Sequence, residues 1–233
     1  MSWAEVATAR EQKRHELVLS GGEVSGRIER CEGGLHADVY SLSSLNYLCV
    51  SETCLKRVAP ALASLCNLTS LVLHSNQLSE LPDAVGQLDK LKLLDVSRNA
   101  LQRLPEAVGR LPCLAQLNVS MNQLQQLPPF AACAKLAQLD ASQNQLTEFP
   151  DVVHPAELVH LAEIKLKGNQ IGVVPWNVAA LPSLKLLDMT DNQVLVVPGE
   201  LADNSKLKGA HKPLYSLQIY PLPINYLRLK YVC

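Results

Sequence analysis

The stretch Leu91-Lys-Leu-Leu-Asp-Val-Ser-Arg-Asn-Ala-Leu-Gln-Arg-Leu-Pro105 decides how this chain folds. It has the form L-x-x-L-x-L-x-x-N-x-L-x-x-L-P, with Val96 at one of the leucine positions. The same form surrounds five other asparagines, and successive asparagines are 23, 23, 22, 25 and 23 residues apart. These six asparagines, called the ladder asparagines below, are Asn76, Asn99, Asn122, Asn144, Asn169 and Asn192.

A period near 23 residues with this internal form predicts an α/β solenoid of the leucine-rich repeat type. Each unit is expected to hold a short strand, and parallel pairing of successive strands gives a horseshoe with a concave β-ribbon. A degenerate unit with Thr53 at the asparagine position precedes the six, and the frame runs back to Leu35 but fails before it. After each Leu-Pro, the positions of Val85, Val108 and Val178 indicate a single helical or 3₁₀ turn on the return path.

The two ends of the array need caps, because an uncovered terminal repeat would expose its apolar edge. Residues 3–20 contain neither glycine nor proline and favour a helix. Residues 1–34 are therefore interpreted as an N-terminal helical cap, with a basic partner-binding surface helix as the alternative. The solenoid, of about seven repeats, is expected at 35–208.

The last segment, residues 209–233, matches neither the repeat nor a capping pattern. From Ala210 onward it contains four of the six tyrosines of the chain, three prolines and no acidic residue. Two interpretations remain open. The segment is either an alternative or mispredicted final exon, or an irregular strand that covers the last repeat.

The repeat also assigns roles to the polar residues. Each ladder asparagine is expected to bond backbone groups at the buried bend of its own and the neighbouring turn. Side chains that point out of the ribbon form columns on the concave face, and these columns are the predicted protein-binding surface. The candidate contact residues are His74, Asp95, Arg98, Asn118, Met121, Asp140, Lys165, Lys167, Asp188 and Asp191.

Charge and cysteine content narrow the function classes. The net charge is −1, with 21 basic and 22 acidic residues. The sequence has no cluster of basic residues of the kind that a dedicated nucleic-acid-binding protein uses to contact phosphates. The seven scattered cysteines are unlike the clustered disulfides of secreted caps. The first residues contain no apolar core of signal-peptide length. The chain is therefore expected in the cytoplasm, with the nucleus as an alternative, not secreted and not in a membrane.

Sequence motifs for chemistry are lacking. The six histidines are scattered without zinc-ligand spacing, and neither a P-loop, G-x-G-x-x-G nor G-x-S-x-G occurs. The sequence therefore predicts no catalytic residue, metal or cofactor. Cys49 and Cys54 are interpreted as packing residues.

Several stretches resemble one family in particular. They are Trp3-Ala-Glu, the segment 16–21, Tyr40 to Leu48 with Val50-Ser51, the unit 184–188 with Asn192-Gln, and Val197 to Asp203. Together they are similar to the repeat region of the leucine-rich repeat-containing protein 47 family, over residues 1–208. Members of that family continue into a domain similar to part of the phenylalanyl-tRNA synthetase β-subunit, and no residue of that domain is present here.

Two functions follow as expectations. The first is a non-catalytic protein-binding scaffold or adaptor whose partner the sequence does not name. The second, implied by the resemblance, is an RNA- or tRNA-associated translation factor whose nucleic-acid contacts lie outside this sequence. A third hypothesis, a repeat protein that regulates a phosphatase, rests only on the general similarity among intracellular leucine-rich repeat proteins.

Overall fold

A parallel sheet of eight strands, arranged in sequence order, forms the framework of the protein. The structure is a computed structural model that describes residues 3–130, 132–151 and 157–195. Its strands are β1 Glu16–Ser20, β2 Tyr47–Ser51, β3 Ser70–Val72, β4 Leu93–Asp95, β5 Gln116–Asn118, β6 Gln138–Asp140, β7 Glu163–Lys165 and β8 Leu186–Asp188. Each strand pairs in parallel with the next, which confirms the predicted solenoid.

The core is a column of aliphatic side chains beneath this ribbon. The middle residue of each three-residue strand is buried, and its two neighbours point away from the core. These middle residues are Leu71, Leu94, Leu117, Leu139, Ile164 and Leu187. Burying each one contributes about 1.5–3 kcal/mol relative to exposure, and the benefit is realised only against the turns above and below.

The return paths carry 3₁₀ turns where the valine spacing predicts them. The turns are Ala37–Ser41, Pro60–Ser64, Asp83–Gln87, Glu106–Arg110 and Trp176–Ala180. Val85, Val108 and Val178 are buried at their centres. A single such turn suits this role, because it is short and presents one apolar side chain per repeat to the core.

The third full unit, which contains Asn122, returns by a shorter route. Only 22 residues separate Asn122 from Asn144, and the described part of this return path has no 3₁₀ turn. Phe130, 1% exposed, fills the core at this point, and Cys133 is buried beside it. The route passes so close to the preceding turn that a Cβ on Gly109 would lie 2.0 Å from the carbonyl oxygen of Pro129. Glycine is therefore required at position 109.

The N-terminal region differs from the predicted helix over residues 3–20. Helix α1 spans only Ala4–Glu11, strand β1 follows, and helix α2 spans Gly21–Arg30. Leu17 and Leu19 are buried while their neighbours are exposed, which is the two-residue period of a strand. The sheet thus begins at Glu16, before the predicted start of the repeat frame at Leu35.

The two helices of the cap are joined by one arginine. The guanidinium of Arg27 in α2 donates to both carboxylate oxygens of Glu5 in α1, at 2.6 and 3.0 Å. It also donates to Glu23 at 2.8 Å and lies 5.9 Å from the ring centre of Trp3. The hydrogen bond from Arg27 lowers the pKa of the Glu5 carboxyl. The cap is therefore a helix–strand–helix unit that adds its strand to the sheet.

Several predictions fall outside the described residues. The tail at 209–233 and the last part of the solenoid, 196–208, belong to this group. The 25-residue unit predicts an irregular return at 151–160, and residues 152–156 of that return also lie outside.

Burial should make Cys133 resistant to alkylation. Its side chain is buried, and desolvation raises the pKa of the thiol from 9.0 to about 11. Because the folded state favours the neutral thiol, its contribution to stability is complete below pH 9.0 and is lost as the pH rises through about 11. We expect iodoacetamide at pH 8 to modify the exposed Cys66 and to modify Cys133 only after unfolding. Peptide mass spectrometry measures both, and equal labelling in the native state would contradict the burial.

Candidate protein-binding surface

The strand register places the outward side chains of the ribbon in straight columns. The central column contains one residue from each strand, and it consists of Val18, Cys49, Val72, Asp95, Asn118, Asp140, Lys165 and Asp188. Neighbouring strands are about 4.8 Å apart, so the eight positions extend over roughly 34 Å. His74 and Lys167 lie in the next column, two residues after the central one.

Chemical character changes along the central column. At the N-terminal end Val18 is 57% exposed and is followed by Cys49 and Val72. Tyr47 lies on the same strand as Cys49, and partial burial raises the pKa of its hydroxyl, with Cys49 and Glu16 acting in the same direction. From Asp95 onward every position is polar or charged. The concave face therefore offers an apolar end and a charged end.

Three aspartates and one asparagine of the central column accept hydrogen bonds within their own turns. Oδ1 of Asp95 accepts from the backbone N–H and the hydroxyl of Ser97, at 2.9 and 2.7 Å. Asn118 and Asp188 accept in the same way from the residue two positions later, and Asp140 accepts from the backbone N–H of Ser142 at 3.0 Å. These four predicted contact residues thus stabilise the local backbone through Oδ1. A binding partner would contact the other terminal atom of each side chain.

Two lysines interrupt this arrangement in the repeat of β7. Lys165 and Lys167 stand where the repeats of β4, β6 and β8 have an aspartate followed two residues later by a serine or threonine. Nζ of Lys165 lies 3.5 Å from Oε2 of Glu163, and Nζ of Lys167 lies 3.8 Å from Oδ2 of Asp191. Both lysine side chains remain exposed, at 40% and 47%. Such open ion pairs contribute little to stability, which leaves the two cations available to a partner.

The corner after each strand has a left-handed backbone. The residue before each ladder asparagine has a φ between 54° and 57°, except for Gly168 at 69°. Arg98, Met121 and Asp191, three of the predicted contact residues, occupy this corner. The corner also holds Glu52, Ser75 and Gln143. Met121 is 47% exposed, so the corner presents one apolar side chain next to charged ones.

The ladder asparagines fasten this corner to the preceding turn. Nδ2 of Asn122 donates to the carbonyls of Val96, Val119 and Ser120 at 3.0, 3.0 and 3.2 Å. Its Oδ1 accepts from the backbone N–H of Leu101 at 3.0 Å. Asn76, Asn99, Asn144, Asn169 and Asn192 make the equivalent bonds to both turns. The concave face is therefore held on a hydrogen-bonded backbone.

The predicted contact residues are spread along the ribbon. Asp140 and Lys165 are paired across adjacent strands and line, with Asp95 and Asn118, a shallow depression of about 220 Å³. His74 lies near the other end, with Nδ1 3.2 Å from the hydroxyl of Ser75. Five strand intervals, roughly 24 Å, separate the strand before His74 from the strand of Asp188. The arrangement suits contact with an extended surface, and the described residues contain no group of three metal-ligating side chains.

Sequence reasoning missed two features that belong to this surface. Glu163 is not among the predicted contacts, although it pairs with Lys165, and the repeat places it two residues before the central column. Val18 extends the central column by one strand, and the Leu17-x-Leu19 alternation was the signal for it. Among the described residues, no helix is both long and apolar enough to cross a membrane.

Comparison with known proteins agrees with this geometry. A family model described as leucine rich repeat matches residues 66–124. Among solved structures, a leucine-rich repeat protein of Leptospira interrogans is 29% identical with a TM-score of 0.73, over 83% of this chain and 47% of that one. No match was found among curated proteins.

Two plant receptors are also similar. The ectodomain of the Arabidopsis thaliana membrane receptor kinase GASSHO1/SCHENGEN3, in complex with Casparian strip integrity factor 2, is 30% identical with a TM-score of 0.66, over 73% of this chain and 21% of that one. The plant peptide hormone receptor RGFR1, in complex with RGF2, is 25% identical with a TM-score of 0.67, over 75% and 29%. This chain spans less than half the length of each of the three structures.

Proposed function

Because this chain has the leucine-rich repeat fold, we propose that it is a non-catalytic scaffold that binds a protein partner on its concave ribbon. The observation that carries the proposal is the exposed pair Lys165 and Lys167, which interrupts a column of turn-bonded acids. A ribbon of this width can supply the roughly 800 Å² per partner that a standard protein interface buries.

The partner contacts are proposed to use both ends of the ribbon. Acidic side chains of the partner pair with Lys165 and Lys167, and an apolar segment covers Val18 and Val72. Met121 and Arg98 lie between them at the corner, where an exposed apolar side chain and a cation are close together. The two plant receptors above, one of them a peptide hormone receptor, are in complex with partners, which supports a polypeptide ligand for this chain.

The location of the protein is proposed to be a reducing compartment. Six cysteines of the described residues are free thiols, and Cys66 among them is exposed. Exposed thiols persist where glutathione and thioredoxin keep them reduced. This supports the cytoplasm or the nucleus.

Reversing the charges of the two lysines should weaken binding of the partner. We expect Lys165→Glu/Lys167→Glu to weaken capture of its partner from cell lysate by about tenfold or more, because close charge pairs of an interface become repulsive. The lysines are better targets than Asp95 or Asp140, since reversing those acids would also break their turns. The measurement is quantitative mass spectrometry of proteins retained by the immobilised chain.

Lys185→Glu provides the control, because Lys185 is an exposed lysine of the neighbouring repeat, just before β8, and lies outside the concave columns. Partners lost with the double variant and retained with Lys185→Glu place the interface on the concave face. An unchanged set of partners with the double variant would contradict the proposal.

The resemblance to the leucine-rich repeat-containing protein 47 family supports a narrower hypothesis, an association with translation. The same capture experiment tests it through the nucleic acid that is recovered. Recovery of RNA with a steep dependence on salt would support this alternative.

A further inference from the structure

A second groove runs along the flank of the solenoid, away from the concave columns. It is formed by the residues three and four positions after successive ladder asparagines, and its volume is about 730 Å³. Polar side chains of four consecutive repeats line it, among them Glu80, Gln102, Arg103, Gln125, Gln126 and Glu148. It is larger than the depression of about 220 Å³ on the concave face.

The charges in this flank groove follow a fixed order. The same position in four successive repeats holds an acidic, a basic, an amide and an acidic side chain. These are Glu80, Arg103, Gln126 and Glu148. All four side chains are exposed, and within the described residues none of them forms a hydrogen bond or an ion pair. Arg27 in the cap, by contrast, is bonded to two carboxylates. The groove therefore holds a row of polar groups whose partners the folded chain does not supply.

An apolar surface continues the groove beyond Glu148. The next repeat stacks directly on the one that holds Glu148, since the backbone N–H of Gln170 donates to the carbonyl of Leu146 at 2.8 Å. Val173 occupies the position of Glu148 in this repeat and is 55% exposed. Trp176, three residues later, is 71% exposed. Exposed tryptophans are enriched among the residues that dominate protein interfaces.

We propose that the flank groove binds an extended segment of a protein partner with a basic, an acidic and a second basic side chain, followed by a large apolar residue. In order along the solenoid, these four groups meet Glu80, Arg103, Glu148 and the Val173–Trp176 surface. The four repeat intervals from Glu80 to Val173 measure roughly 19 Å, which about six residues of extended chain span. The amides of Gln102, Gln125 and Gln126 are placed to bond the backbone of the segment, because each carries donors and an acceptor.

This inference goes beyond the concave scaffold, because it assigns a different surface and the charge order of its ligand. The probe is a phage-displayed library of random twelve-residue peptides, selected on the immobilised wild-type chain. Recovered peptides are then synthesised, and their affinities are measured by fluorescence anisotropy for three variants. The first variant, Glu80→Lys/Arg103→Glu/Glu148→Lys, reverses the three charges of the groove. The second, Trp176→Ser, removes the apolar contact. The third, Lys165→Glu/Lys167→Glu, is the control on the concave face.

The expected result is a recovered set with the basic–acidic–basic–apolar order. Its affinity falls about tenfold or more in the groove reversal and in Trp176→Ser, and it is unchanged in the concave control. The side chains substituted in the flank groove and at Trp176 are exposed, so thermal unfolding followed by circular dichroism should show the midpoint of the wild type for these two variants.

Three outcomes would overturn the inference. The first is a selection that enriches no peptide. The second is a recovered set that loses affinity in the concave control and keeps it in the groove reversal. The third is self-association of the wild type in sedimentation equilibrium that Trp176→Ser abolishes, because the apolar surface would then serve a second copy of the chain.

Discussion

Replacing Asn122 with alanine is expected to lower the free energy of unfolding by about 3 kcal/mol. The side chain makes four hydrogen bonds to backbone groups of two turns, three of them buried, and it is itself 8% exposed. Alanine leaves the N–H of Leu101 without this acceptor, and the carbonyls of Val96 and Val119 keep only the bonds that Asn99 and Asn144 donate to them. Unmade bonds of buried groups cost about 1–3 kcal/mol each, and relaxation of the bend recovers part of that cost.

Urea denaturation followed by circular dichroism measures the effect, with two further variants. Asn122→Asp keeps the shape but removes the two N–H donors, and it should be at least as destabilising as alanine because a carboxylate then faces three carbonyls. Gln123→Ala removes an exposed neighbouring side chain and should change the free energy by less than about 0.5 kcal/mol. A loss below about 1 kcal/mol for Asn122→Ala would show that the bend does not depend on this amide.

Replacing Phe130 with alanine is expected to lower the free energy of unfolding by about 3–5 kcal/mol. Phe130 is 1% exposed and takes the place of a 3₁₀ turn in the shortest unit. The backbone there already approaches Gly109 so closely that a Cβ would overlap the carbonyl of Pro129. The unit therefore has little freedom to collapse around a cavity, which places the loss near the upper part of the range.

Phe130→Leu is the matched control, since it retains most of the apolar volume and should cost about 1.5 kcal/mol or less. The two variants are compared in the same urea titrations, and the slopes of the transitions report whether both unfold the same surface. Equal losses for alanine and leucine would mean that the aromatic ring does not support the short return path.

The repeat period was sufficient to predict most of the fold from the sequence. An asparagine every 22–25 residues fixes the register of neighbouring strands, because each one must reach the carbonyls of the turn before it. The central column could therefore be written down from Cys49 to Asp188. The 3₁₀ turns followed from the valines after each Leu-Pro, since the core demands one apolar side chain there.

Strand β1 was not predicted, because it lacks the asparagine that marks the other turns. Gly21, with a φ of 83°, stands at the left-handed corner that Glu52 occupies in the next repeat. Gly22 follows in place of a ladder residue, and helix α2 takes over the return path. Two leucines in alternation, Leu17 and Leu19, are a weaker signal than a long stretch without glycine or proline, so the sequence alone favours a helix there.

The availability of the candidate contact residues could not be predicted either. Sequence alone treated Asp95 and Lys165 as equivalent members of one column. In the structure, the carboxylate of Asp95 is bonded to Ser97 two residues later, while Lys165 has only a long ion pair with Glu163. The difference depends on side-chain rotamers at the corner, and the repeat pattern does not specify them.

The asparagine ladder has a direction. Each amide completes the bend of the coil before it, as when Asn144 bonds the carbonyl of Val119 and the N–H of Leu124. A coil is therefore finished by its successor and not by its predecessor. Duplication or removal of one whole coil therefore keeps this bonding intact, because every coil that has a successor still receives the asparagine amide of that successor. A truncation between two coils removes the closing amide of the upstream coil, and we expect that coil to be less stable than it is within the whole array.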